Sequence, residues 1–385
     1  MLKIGVLTYH RSLNYGAYLQ AFALSHALNS EDGFQVELID FQMHKEIEHY
    51  KTKVSIKSLK HPIRFIHSVV DTKKQRVLFE KDMEKQLLSE ERCVSDSIDD
   101  FVSFVKNKYD AIITGSDEIW KTNGLRGFPT PYWLLGDLGC YKYAYAASGR
   151  NSYSHLSNDK IGILKAGLNE YGYIGVRDSI TKKEIEKYIP SNKRVQLCCD
   201  PTFLFDFQVS RENGFRLLKE RFGVERGKRI VALMTEDEKI SKHIRRKLAK
   251  KDFQLISLYQ WQSGCINCSQ LSPFEWLDVL SCVDIIMTSF FHAVCFAAKL
   301  GKPMIAFGTR GKGSKVEEVI SQVGRKSDYY ANLYDIMDRL PEEVVLRLAY
   351  EPECYHATSG TLEGYSLLVE KLFMQSKENG VAYES

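Results

Sequence analysis

Thr288-Ser289-Phe290-Phe291-His292 brings two hydroxyls and an imidazole together directly behind a mostly apolar run, Val283 to Met287. A hydroxyl can donate to an oxyanion, and an imidazole changes charge near neutral pH, so the pair can hold a phosphate or carry a proton. The apolar run reads as a short strand. Beyond Phe290-Phe291 the spacing predicts a helix to about Lys299, stopped by Gly301-Lys302-Pro303, and then a strand from Met304 to Phe307. A turn between such a strand and helix places side chains and backbone N–H groups at the mouth of a parallel sheet, where anions bind.

Other predicted strands end in the same manner. Lys3 to Thr8 leads into His10-Arg11-Ser12-Leu13-Asn14-Tyr15-Gly16, with a helix from Ala17 to Asn29 and a strand from Phe34 to Asp40 behind it. Tyr109 to Thr114 runs into Gly115-Ser116-Asp117-Glu118-Ile119-Trp120, Tyr143 to Ala147 into Ser148-Gly149, and Tyr173 to Val176 into Arg177-Asp178. Alternating strands and helices predict parallel sheets, and polar residues gathered at strand C-termini mark the ligand-binding rim. Each of these residues also has a structural reading. His292 can satisfy backbone groups, Arg177 can pair with Asp178, and Asp117 can cap a helix. Phe290, Phe291, Tyr15 and Trp120 read as packing residues.

A chain of 385 residues with 44% apolar content fills two cores more naturally than one. The expected division is 1–206 and 207–385, the second half holding strands at Arg229 to Met234 and Phe253 to Leu258, helices at His243 to Lys251 and from Ser272-Pro273, and final helices near Ser314–Val323 and Gly364–Ser376. Residues 45–92 interrupt the first pattern as a charged helical insertion in which Pro62 starts or interrupts a helix. Between Lys45 and Arg76 cations outnumber Glu46, Glu48 and Asp71, with Ile56, Leu59, Ile63, Ile66 and Val70 on one face. Such a segment suits peripheral contact with an anionic membrane surface, or a solvated helical hairpin packed on the domain.

The net charge of +4 calls for no nucleic acid, and no nucleic-acid-binding motif is present. Met1 to Leu7 lacks a signal-peptide layout and no apolar run approaches a spanning helix, so a soluble cytoplasmic protein is expected. The nine cysteines are scattered, and the single CxxC, Cys265 to Cys268, has no second ligand pair for zinc; reduced thiols are expected. There is no GxGxxG after a strand, no P-loop, no GxSxG elbow and no HExxH helix. Gly311-Lys312-Gly313-Ser314-Lys315 is glycine-rich, basic and follows a strand, a pattern able to cradle a phosphate.

Six stretches in this order resemble the polysaccharide pyruvyl transferase family. They are Lys3 to Leu28 with Asn14-Tyr15-Gly16-Ala17, Gly115 to Trp120, Tyr145-Ala146-Ala147-Ser148-Gly149, Val176-Arg177-Asp178-Ser179, Asp200-Pro201-Thr202-Phe203-Leu204, and the segment from Ser272-Pro273 through His292 to Lys302-Pro303. The resemblance implies a glycosyltransferase-B-like fold, two Rossmann-like domains facing across a cleft. It also implies transfer of a pyruvyl group from phosphoenolpyruvate to a hydroxyl pair on a bacterial surface saccharide or its lipid-linked precursor, with no cofactor and no metal.

On that reading His292 is the catalytic acid or base. Arg177, Ser289, Phe291, His292, Arg310, Lys312 and Lys315 line the donor site, and Asn14, Gly16, Ser116, Asp117 and Ser148 line the acceptor site. Three positions depart from the family pattern. Phe290 stands where one branch carries arginine, Ala293 where another carries glycine, and Glu118 where glutamine is frequent, which leaves Arg177, Arg310, Lys312 or Lys315 to supply the donor's countercharge. Two further functions fit the same scaffold: a glycosyltransferase with a nucleotide-sugar donor, and a non-catalytic glycan-binding relative.

Overall fold

A computed structural model describes residues 1–51, 62–225, 227–248, 253–309, 313–349, 353–355 and 359–378. The chain forms two compact units, each built on one parallel sheet. The first contains β1 (Leu2–Leu7), β2 (Phe34–Gln42), β3 (Leu88–Val94), β4 (Ala111–Thr114), β5 (Tyr141–Ala147), β6 (Tyr171–Val176) and β7 (Val195–Leu197), in the order β3-β2-β1-β4-β5-β6-β7. The second contains β8 (Arg229–Met234), β9 (Phe253–Ser257), β10 (Ile266–Asn267), β11 (Ile285–Thr288), β12 (Met304–Phe307) and β13 (Tyr329–Tyr330), in the order β10-β9-β8-β11-β12-β13. Both sheets run outward in both directions from a central pair, so each has a topological switch point, β1/β4 in one and β8/β11 in the other. The halves share this topology without a visible sequence repeat.

Parallel strands covered on both faces must be apolar on both, and these are. In β1, Ile4 and Val6 face one core with Leu24, Leu28 and Val36, while Leu7 faces the other with Ile39, Phe101 and Ile112. The same two-residue period splits β4 between Ile113 and Ile112. The helix Tyr15–Asn29 is buried along nearly its whole length and starts at Asn14, whose side chain accepts from the N–H groups of Gly16 and Ala17.

Two segments leave the half in which simple linear division places them. The helix Ser359–Glu378 belongs to the first unit, where Leu368 and Leu372, one turn apart, bury against the Tyr143, Tyr145 and Tyr173 face. Tyr173 Oη donates to the carbonyl of Gly364 at 2.6 Å, and Tyr365 Oη to Glu31 at 3.0 Å. Without this helix the outer face of β5 and β6 would be apolar and bare. Conversely, the helix Pro62–Asp82 belongs to the second unit. Its buried Asp71 accepts from Ser269 Oγ at 3.0 Å and Gln270 Nε2 at 2.6 Å.

Pro62 starts that helix, a position where a missing N–H costs nothing. The expected insertion 45–92 is helical at His44–Lys51 and Pro62–Asp82, but its end is the edge strand β3. Leu88 to Val94 carries Glu90, Glu91 and Arg92 in its exposed middle, a charged edge that discourages pairing with another chain and hides the strand from an apolar-pattern search. The helix after β8 begins at Glu238, five residues before expected, because Asp237 Oδ1 accepts from Lys239 and Ile240 N–H groups. Ser272 and Glu275 form the reciprocal capping box of the helix Pro273–Cys282. Among the described residues, no helix is long and apolar enough to cross a membrane.

Candidate active site

At the rim of the first sheet, polar residues form a connected, buried network around β1 and β4. Gln20, in the middle of an apolar helix, donates through Nε2 to Thr8 Oγ1 at 2.9 Å and accepts from the Ser116 N–H at 3.2 Å. Thr8 Oγ1 donates in turn to the Ser116 carbonyl at 3.2 Å. Arg177 Nη1 reaches Asp200 Oδ2 at 2.9 Å and Ser116 Oγ at 3.5 Å, and Nη2 reaches Asp117 Oδ1 at 3.3 Å. Asp200 is itself fixed by the backbone and hydroxyl of Thr202. Burial pushes the Arg177 pKa down, but Asp200 and Asp117 more than restore it, so the guanidinium is a charge balanced within this unit.

Gly115 and Asp117 shape the turn. A Cβ on Gly115, whose φ is +122°, would lie 2.1 Å from the Tyr145 carbonyl oxygen. Asp117 has φ +74°, a region that Asp enters more readily than most residues, and its carbonyl accepts from the Ser148 N–H at 2.9 Å. Gly115→Ala is expected to destabilise this unit by roughly 3 kcal/mol or more, from steric overlap and a strained φ, as a lower urea midpoint. Ser148 donates to Asp178 Oδ2 at 2.6 Å, and Trp120 is buried against Trp133 with ring centroids 4.9 Å apart. Asn14 and Asp117 reach the surface of this rim, with Gly16, Ser116 and Ser148 buried behind them.

The loop after β1 adds residues that no spacing in the sequence singled out. His10 is buried, with Nε2 3.2 Å from Asp40 Oδ1, while Arg11 binds both Asp40 oxygens at 2.5 and 2.6 Å. Burial alone would raise the Asp40 pKa, but hydrogen bonds and charge from Arg11 and His10 hold it well below the usual carboxylate range. The sign follows directly. The unfolded carboxyl titrates near 3.9, so the stabilisation is complete above about pH 4 and fades as pH falls toward the folded value. Asp40→Asn is expected to cost about 3 kcal/mol at neutral pH, with the gap from wild type closing below about pH 4 in urea unfolding series.

In the second unit, Ser289, Phe291 and His292 lie at the β8/β11 switch point, the place the opening motif requires. Thr288 Oγ1 donates to the Met234 carbonyl at 3.2 Å and accepts from the Phe290 N–H at 3.0 Å. Ser289 Oγ donates to Thr235 Oγ1 at 3.2 Å, and Gln262 Nε2 donates to the Thr235 carbonyl at 3.0 Å. The helix Phe291–Lys299 begins here with Phe290 at its N-cap, a residue that offers no capping side chain. His292 is its second residue, half-buried, with its ring 5.1 Å from that of Phe291. Phe290 packs against Tyr259 at 4.5 Å.

Lys315 lies half-buried in the first turn of the helix Gly313–Gln322. Arg310 and Lys312 fall outside the described residues, as does part of the basic segment 45–76. The structure thus gathers Arg177 with Ser116 and Asp117 in the first unit, with Ser148 bonded to the Asp117 carbonyl beside them. It sets Ser289, Phe291 and His292 along one strand-to-helix turn of the second, with Lys315 on a different helix of that unit. Cys265 and Cys268 are free thiols, and burial pushes Cys265 up to about 11, against the nearby charge of Arg245.

Two doubly wound parallel sheets, each with its polar residues collected at a switch point, define a two-domain α/β fold of the glycosyltransferase-B-like class. Solved structures share it. UDP-GlcNAc 2-epimerase from Methanocaldococcus jannaschii superposes with a TM-score of 0.58 at 10% identity, over 97% of this chain and 99% of that one. The enzyme from Neisseria meningitidis bound to UDP-GlcNAc gives 0.51 at 11% identity, over 97% and 100%. At such identities the likeness concerns the fold alone. The sequence profile of polysaccharide pyruvyl transferases matches residues 14–311, and the chain belongs to that family. No curated protein matches it in sequence.

Proposed function

We propose that the protein transfers the pyruvyl group of phosphoenolpyruvate to two hydroxyls of a sugar in a bacterial surface polysaccharide or its lipid-linked precursor. The observation that carries the donor assignment is Ser289 and His292 at the start of the helix Phe291–Lys299, on the switch point of the second sheet. Helix N-termini favour oxyanions, and an imidazole beside one can transfer a proton at neutral pH.

In the reaction, carbon 3 of the enol gains a proton and carbon 2 becomes cationic. One sugar hydroxyl bonds to carbon 2, the carbon–oxygen bond to phosphate breaks, and the second hydroxyl closes the ketal. Of the two hydroxyl protons, one balances the proton taken by carbon 3 and the other leaves with phosphate. His292 is the group assigned to deliver the carbon 3 proton, and Ser289, Phe291 and Lys315 are assigned to the donor. On the acceptor side, Asp117 and Asn14 are the members at the surface, with Ser116, Ser148 and Arg177 holding the turn behind them. The scheme draws on phosphoenolpyruvate as co-substrate and on no other cofactor. It places the enzyme in the cytoplasm, at the inner face of the cell membrane when the acceptor is lipid-linked.

Thermal shift with phosphoenolpyruvate and, separately, with sugar nucleotides tests the donor. A rise in unfolding temperature with phosphoenolpyruvate, lost in His292→Ala, is expected. Stabilisation by a sugar nucleotide alone would instead favour a glycosyltransferase.

A further inference from the structure

Residues 121–130 follow the Gly115–Trp120 turn and return an arginine to the rim of the first sheet. The Arg126 guanidinium lies 3.5 Å above the centre of the Tyr9 ring, and its Nε donates to Glu46 Oε1. Both anchors are fixed. Tyr9 follows β1 directly, and its hydroxyl donates to the Glu118 carbonyl at 3.3 Å, next to Asp117. Glu46 is buried, and its second oxygen accepts from Tyr132 Oη at 2.9 Å and from the Met43 N–H at 3.2 Å. The backbone carbonyl of Arg126 accepts from Lys45 Nζ at 2.6 Å.

A guanidinium has five N–H donors, and this one commits only the Nε edge. Among the described residues, Nη1 and Nη2 meet no hydrogen-bond acceptor, and the side chain is 21% exposed. The other charges nearby are already matched. Arg11 is held by Asp40, Arg92 reaches Gln42 and Asp40, and the Glu118 carboxylate faces Lys121 at 3.5 Å. A rigid arginine that presents its Nη edge at a switch point is a fork for a phosphate-type oxyanion.

We propose that the first unit takes an acceptor carrying a phosphate or diphosphate ester beside its sugar, and that Arg126 holds that group. This rests on the assignment of the acceptor to this unit. Two sources share the chemistry, a nucleotide-linked sugar and a lipid-linked sugar diphosphate.

Titration calorimetry of the full chain with inorganic pyrophosphate, uridine diphosphate, farnesyl diphosphate and phosphoenolpyruvate tests it. Arg126→Gln strands the buried Glu46 carboxylate, so the deciding variant is the double Glu46→Gln/Arg126→Gln, in which neither charge is left unpaired. Wild type is expected to bind at least one diphosphate, the double variant to bind it tenfold or more weakly, and Glu46→Gln alone to retain it. Phosphoenolpyruvate affinity is expected to be equal in all of them. Tighter binding of uridine diphosphate would support the nucleotide source, and of farnesyl diphosphate the lipid source.

The idea is overturned if no diphosphate binds wild type, or if the double variant binds as tightly. It is also overturned if phosphoenolpyruvate binding falls together with diphosphate binding, since the arginine would then serve the donor. An Arg126-dependent diphosphate site in a protein that ignores phosphoenolpyruvate would sink the donor assignment and leave this one standing.

Discussion

Replacing His292 by alanine is expected to lower turnover by about two to four orders of magnitude, the usual contribution of a positioned general acid or base. The expected loss is in chemistry and not in folding. His292 sits in the first turn of its helix, whereas the core behind it is made by Val294, Cys295, Phe296, Ala297 and Ala298. The helix therefore keeps its packing when the imidazole is removed. His292→Gln separates the two roles open to this side chain, because glutamine can donate a hydrogen bond to an oxyanion but cannot carry a proton at neutral pH. Phosphate release from phosphoenolpyruvate in the presence of acceptor is the measurement. If the glutamine variant turns over within threefold of wild type, His292 binds the donor without acting as its acid.

Arg177→Met is expected to cost about 3–5 kcal/mol of stability, the consequence of stranding a buried carboxylate. Asp200 is 1% exposed, so water cannot recover its charge, whereas Asp117, 20% exposed, regains part of its hydration. The expectation distinguishes this arginine from a donor ligand. A ligand residue would weaken phosphoenolpyruvate binding with little change in the urea midpoint, whereas a structural one moves the midpoint first. Adding Asp200→Asn to Arg177→Met should restore part of the loss, since the stranded charge goes with it. An unchanged midpoint in the single variant would return Arg177 to the donor site.

Much of the architecture was legible because parallel strands buried on both faces leave continuous apolar runs. Arg229 to Met234 and Met304 to Phe307 were readable to the residue. The strand β3 was not, since an exposed edge tolerates Glu90, Glu91 and Arg92 where an interior strand needs apolar side chains. The polar rim of the first sheet was half legible. Ser116, Asp117 and Arg177 lie at strand ends and announce themselves by position, but Gln20, Glu46 and Arg126 sit within a helix, after β2 and in a loop, where nothing local marks them.

The order of elements, most strand ends and the helix start beside His292 were determined by the sequence, because these depend on residue type within a few positions along the chain. Tertiary structure alone decided which charges meet. Asp200 came to Arg177, Asp40 to Arg11, and Glu46 to Arg126 across 80 positions. It also decided that the helix Ser359–Glu378 closes the first unit and the helix Pro62–Asp82 the second. The physical reason is common to all of these. A buried charge or an apolar face is stabilised by whatever partner the fold brings within reach, and that partner's distance along the chain does not enter the energy.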